Sequence, residues 1–117
     1  MTLYKVVEIL EASVLEEGNM DNEIMSACGA DLMSDVLAFS KENGILLTGL
    51  VNLQVVRTAE MMDMRGICFV RGKKPSDEIL ELSKEKGLTI MTTAHPLYVA
   101  CGKLYSGGLV GGATDEN

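Results

Sequence analysis

The chain has no tryptophan, two phenylalanines and three tyrosines in 117 residues. So few aromatics leave little material for platforms on which unpaired bases stack. Positive charge is also scarce: 10 Lys and Arg stand against 17 Asp and Glu, a formal net charge of −7. Nucleic-acid binders use cations to displace counterions, so no nucleic-acid partner is expected. No apolar run reaches the ~18 residues of a membrane helix, so no membrane partner is expected. The opening Met1-Thr2-Leu3-Tyr4-Lys5 shows no signal pattern. Cysteine is limited to Cys28, Cys68 and Cys101, far apart and without metal-ligand spacing. Their apolar neighbours suggest buried, reduced thiols and a cytoplasmic setting. Neither a metal nor a cofactor is expected.

Apolar material is plentiful, at 47% hydrophobic residues. That suffices for one core in one domain of this length. Leu3, Val6, Val7 and Leu10 recur at helical spacing behind Thr2, a residue suited to capping. Val14-Leu15 and Ile24 to Cys28 read as two short strands. Asp31 is placed to cap a helix whose buried face is Leu32, Val36 and Phe39, which Gly44 stops. A run of apolar segments follows: Gly44 to Gly49, Ile67 to Val70 and Leu88 to Thr93. Each reads as a strand covered on both faces. Between them lie two helical patterns. One is capped by Asn52, with Val55, Val56, Ala59 and Met62 inward. The other opens at Pro75-Ser76-Asp77, with Ile79, Leu80 and Leu82 inward. Pro96 opens a last helix with Leu97, Cys101 and Leu104 on one face.

Strand, helix, strand, helix, strand, helix from residue 45 predicts an α/β fold. It is a three-layer-like sandwich with a mostly parallel sheet and helical crossovers. The two early strands are expected at an edge. One domain is expected over residues 1–107, with a flexible Gly-rich acidic tail over 108–117.

Parallel sheets collect ligands at the C-terminal ends of their strands. Those ends are Thr48-Gly49, Arg71-Gly72 and Thr92-Thr93, with Asn52, Arg57, Lys73 and His95 just beyond. An anion there would meet Arg71's planar guanidinium fork and the backbone amides near Gly49 and Gly72. Ordinary turn chemistry accounts for the same residues: glycine for positive φ, Asn and Thr for caps, Lys for solubility.

No catalytic constellation emerges. Gly66 to Lys74 imitates a phosphate loop, but five residues separate its glycines where four are needed. Lys74 also stands where a magnesium-binding hydroxyl belongs. The sole histidine, His95, has no orienting partner at a readable spacing. Asp31 and Asp35 share a helical face, yet a cap and a solvated acid explain them. The segment Met61-Met62-Asp63-Met64 and the final helix are candidate association surfaces.

Several segments together resemble a DRTGG domain. They are Asp31 to Phe39, Leu46 to Ala59, Phe69-Val70-Arg71-Gly72-Lys73-Lys74-Pro75, and Gly87 to Thr93. The likeness spans roughly residues 2 to 107, although the Asp-Arg-Thr-Gly-Gly run is absent. Such domains are similar to the N-terminal domain of HPr kinase/phosphorylase, without its kinase domain. The resemblance implies an α/β domain with a regulatory or assembly role, a tendency to dimerise and no established ligand. It also implies a protein partner such as a redox or metabolic enzyme. The expected function is therefore a non-catalytic regulatory or protein-interaction module, a homodimer without kinase activity. The alternative is a sensor of a small anion or nucleotide, held by Thr48, Gly49, Asn52, Arg71, Gly72, Thr92 and Thr93.

Overall fold

In the computed structural model, which describes residues 1–109, the Thr2 hydroxyl accepts a hydrogen bond from the Lys5 amide at 3.2 Å. That cap starts α1 (Leu3–Leu10), which buries Leu3, Val6 and Leu10. Glu11 closes it in the left-handed region, at φ 53°. The elements that follow are β1 (Ser13–Glu16), β2 (Ser26–Gly29), α2 (Met33–Phe39), β3 (Gly44–Thr48) and α3 (Leu53–Met61). After them come β4 (Gly66–Phe69), α4 (Asp77–Glu85), β5 (Thr89–Thr92) and α5 (Leu97–Ser106).

The strands form one sheet in the order β1-β5-β4-β3-β2. Four are mutually parallel, and β1 runs antiparallel to β5 at one edge. The two early strands are thus at the edges, one at each. Every residue of β3, β4 and β5 is buried. Such strands need apolar residues on both faces, which is why they appear as unbroken apolar runs.

Alternation along the strands splits the core in two. Ile45, Leu47, Cys68, Val70 and Met91 pack with Leu3, Val6 and Leu10 of α1 and with Ala100 and Leu104 of α5. Leu46, Ile67, Phe69 and Ile90 pack on the other face with Val36, Val55, Val56 and Ile79 of α2, α3 and α4. Removing such a side chain from water contributes roughly 1.5–3 kcal/mol. Helices on both faces of a mostly parallel sheet make this an α/β fold.

Several local expectations need correction. Of the face expected to be buried on α2, only Val36 is buried while Leu32 and Phe39 are exposed, and the helix ends at Phe39 with Ser40 as its cap, Gly44 being the first residue of β3. Asp31 does not cap α2: the N-cap is Leu32, with no side-chain bond. The Asp31 carboxylate is drawn instead to two donors at the end of β3, described below. Pro75 lies outside the first turn of α4. Ser76 caps that helix, its hydroxyl accepting from the Ile79 amide at 3.3 Å. Leu109, placed in the tail by sequence, is buried and its amide donates to the Leu104 carbonyl at 3.0 Å. The rest of the expected tail, residues 110–117, lies outside the described residues.

Candidate functional site

Parallel pairing brings the C-terminal ends of β3, β4 and β5 side by side. Thr48 is paired with Phe69, and Phe69 with Thr92. Past these pairs the chain ties itself together. The Val70 amide donates to the Thr48 carbonyl at 3.1 Å, the Gly72 amide to the Thr93 carbonyl at 2.8 Å, and the Arg71 amide to the His95 carbonyl at 2.9 Å. Arg71 and Gly72 both adopt positive φ, 58° and 69°. Glycine takes that conformation freely; arginine pays for it with steric strain of order 1–2 kcal/mol.

The Asp31 carboxylate sits over this cluster. One oxygen accepts from the Gly49 amide at 2.7 Å and from the Thr48 hydroxyl at 3.0 Å. The Thr48 hydroxyl accepts in turn from the Leu50 amide at 3.0 Å. The Arg71 guanidinium lies so close to Gly49 that a Cβ there would stand 2.8 Å from a terminal nitrogen. Glycine is what permits that approach. Lys73 reaches across to donate to the Gly49 carbonyl at 2.8 Å.

Six of the seven anticipated residues therefore meet: Thr48, Gly49, Arg71, Gly72, Thr92 and Thr93. Most of their polar groups are directed at the chain itself. The Thr92 hydroxyl donates to the Lys73 carbonyl and the Thr93 hydroxyl to the Leu10 carbonyl, each at 2.7 Å. Asn52 spends its side chain capping α3, accepting from the Val55 amide at 3.1 Å. Arg57 is directed elsewhere. It lines an open groove between α3 and α4 with Leu53, Leu82 and three glutamates, Glu78, Glu81 and Glu85.

No family model matches the chain, and no curated protein matches it. Among solved structures it is similar to the CBS and DRTGG domains of the regulatory region of a pyrophosphatase from Clostridium perfringens. The two are 20% identical with a TM-score of 0.67 over 88% of this chain. The fold is DRTGG-like. The match takes in 45% of the neighbour's chain, so this chain spans under half of that length. It does not bear on the resemblance to HPr kinase/phosphorylase.

Beside the DRTGG-like strand ends lies a pair that sequence reading missed. His95 Nε2 stands 2.9 Å from Glu11 Oε1, and Lys103 Nζ approaches the same oxygen at 4.0 Å. Hydrogen bonding to His95, then the charges of Lys103 and His95, hold the Glu11 carboxyl below its ordinary value. A histidine with a carboxylate partner could orient a base. The hydroxyl beside it, that of Thr93, already donates to Leu10 and accepts from the His95 amide at 3.3 Å.

The thiols are held protonated. Burial, with a smaller contribution from Cys101, pushes the Cys68 thiol up to about 12. Burial also raises Cys28 and Cys101, both half-buried. A protonated thiol is a poor nucleophile and metal ligand. Among the described residues, no group of three or more His, Cys, Asp and Glu could hold a metal ion. No described helix is long and apolar enough to cross a membrane.

Proposed function

We propose that the chain is a non-catalytic regulatory or protein-interaction module that acts as a homodimer. One observation carries the reading: the polar groups at the strand ends are bonded within the chain, and the Asp31 carboxylate takes the donors of Gly49 and Thr48 that would hold an anion. A rim filled in this way supports contact with another protein over capture of a small molecule. The DRTGG-like neighbour belongs to the regulatory region of an enzyme, which supports a regulatory role. The partner class is a metabolic or redox enzyme of the cytoplasm, a compartment that suits three free thiols.

A second reading rests on Arg71. A non-glycine residue at positive φ, with Lys73 and Lys74 beside it, concentrates cations where parallel sheets hold ligands. A phosphate would displace Asp31 from the Gly49 amide and take the Arg71 fork. The neighbour was solved with an activator, diadenosine tetraphosphate. Inorganic phosphate, ATP and diadenosine tetraphosphate at millimolar concentration separate the two readings by thermal shift. The module reading expects an unchanged melting temperature and no phosphate release from ATP. A rise in melting temperature that Arg71→Ala abolishes would establish the sensor instead. ATP turnover abolished by Lys73→Ala would overturn both.

A further inference from the structure

Sheet edges recruit strands unless they are guarded, and the two edges here are treated differently. β1 carries a bulge between Val14 and Glu16 and ends in an acid followed by another. Those are devices that keep an edge from pairing. Among the described residues β2 pairs only with β3, in unbroken register over four residues. Its residues Ser26-Ala27-Cys28-Gly29 include no charge and no proline, and the chain from Ile24 to Ala30 is uncharged throughout.

The helices on either side of β2 bring apolar side chains to that edge. On α5, Cys101 sets its sulfur against Gly29, leaving no room for a Cβ there. Tyr98 and Tyr105 lie three residues before and four after Cys101, on the same stripe of the helix. The other side of α5 faces α1, where Lys103 approaches Glu11 and Gly107 meets Ile9. The two tyrosines therefore stand on the β2 side. On α2, which crosses over from β2 to β3 and packs beside α3, Val36 and Met33 face the core and Asp35 lies on the opposite flank. Leu32 and Phe39 lie three residues before and four after Asp35, again on the β2 side. Met25 leads directly into the strand. Exposure is 62% for Met25 and Leu32, 58% for Phe39, 89% for Tyr98 and 66% for Tyr105.

We propose that this edge is where two copies of the chain pair, β2 against β2 antiparallel about a two-fold axis, giving one ten-stranded sheet. The proposal rests on the module reading and names its surface. A second copy fits for three reasons. An antiparallel pair of identical strands satisfies both open edges with one isologous contact. The chain carries no charge from Ile24 to Ala30, so no charged side chain stands in the new ladder, and Asp35 is the one acid on α2. The five residues are each more than half exposed, the kind of apolar and aromatic surface that an interface of ~800 Å² per partner buries.

Sedimentation equilibrium of the full chain at tens of micromolar tests this. A dimer is expected. Met25→Lys and Phe39→Lys, both at exposed positions, should each weaken it by roughly tenfold or more. Met61→Lys, at an equally exposed position on α3, should leave it unchanged. Amide hydrogen exchange on the unmodified protein gives a second measurement: exchange in Ser26–Gly29 should slow as concentration rises, while that in β1 stays constant. A monomer at every concentration overturns the proposal. So does a dimer that survives both edge variants with β2 exchange unchanged by concentration. A monomer also removes the homodimer from the module reading, whereas a dimer that survives both edge variants leaves that reading intact; its non-catalytic part has its own test in ligand-induced melting shifts and ATP turnover.

Discussion

Asp31 accepts from the Gly49 amide and the Thr48 hydroxyl, and both donors belong to buried residues. Removing the acceptor leaves two buried donors with reduced pairing, a situation that costs about 1–3 kcal/mol. Asp31→Ala should therefore lower the urea midpoint by an amount in that range, with the denaturant slope unchanged. Asp31→Asn retains an acceptor oxygen and should cost less. Asp35→Ala, one turn on and exposed, should shift stability by no more than about 0.5 kcal/mol. Equal effects from Asp31→Ala and Asp35→Ala would show that the carboxylate bridge contributes nothing. Sequence spacing points to Asp31 as a helix cap because local rules see only the residues that follow it. The donors that win it lie 17 and 18 residues away, at the end of β3 and just past it. Asn52 shows the converse. Its partner is three residues on, so its capping role was legible; a ligand role for the same side chain now competes with that bond.

Elements fared better than their contacts. Each of the five helices and three central strands announces itself by period or by an unbroken apolar run, and the caps at Thr2 and Asn52 follow from local chemistry. What joins the end of α1 to the turn before α5 does not. Glu11 and His95 are 84 residues apart, and no sequence period relates them. The pair has a signature in acid. The folded Glu11 carboxyl titrates below its ordinary value of 4.5, so its contribution is fully present above that value. It is lost as pH falls through the lower, folded value. Glu11→Gln removes that contribution. The stability gap between parent and variant should close as the medium is acidified below the ordinary glutamate range. A gap that widens on acidification would mean that Glu11 is not held down by His95 and Lys103.

At the scale of the whole molecule the sheet is shared by two apolar layers, and neither layer has strands of its own. Leu46 and Leu47 are neighbours on β3, yet Leu46 packs with α2, α3 and α4, and Leu47 with α1 and α5. A domain of this size has roughly 5–15 kcal/mol in hand, while Leu→Ala in such a site costs about 2–5 kcal/mol. Damage to one layer should thus unfold both. The tyrosines make this measurable: Tyr4 lies on α1, Tyr98 and Tyr105 lie on α5, and the chain has no other tyrosine and no tryptophan. Tyrosine fluorescence therefore reports on the α1–α5 layer, whereas far-ultraviolet circular dichroism reports on helices of both layers. Leu46→Ala removes a side chain from the layer that holds no tyrosine. In a cooperative domain it should move the fluorescence and dichroism transitions to the same lower urea concentration. If the dichroism midpoint falls while the fluorescence midpoint stays in place, the two layers unfold separately and the sheet does not couple them.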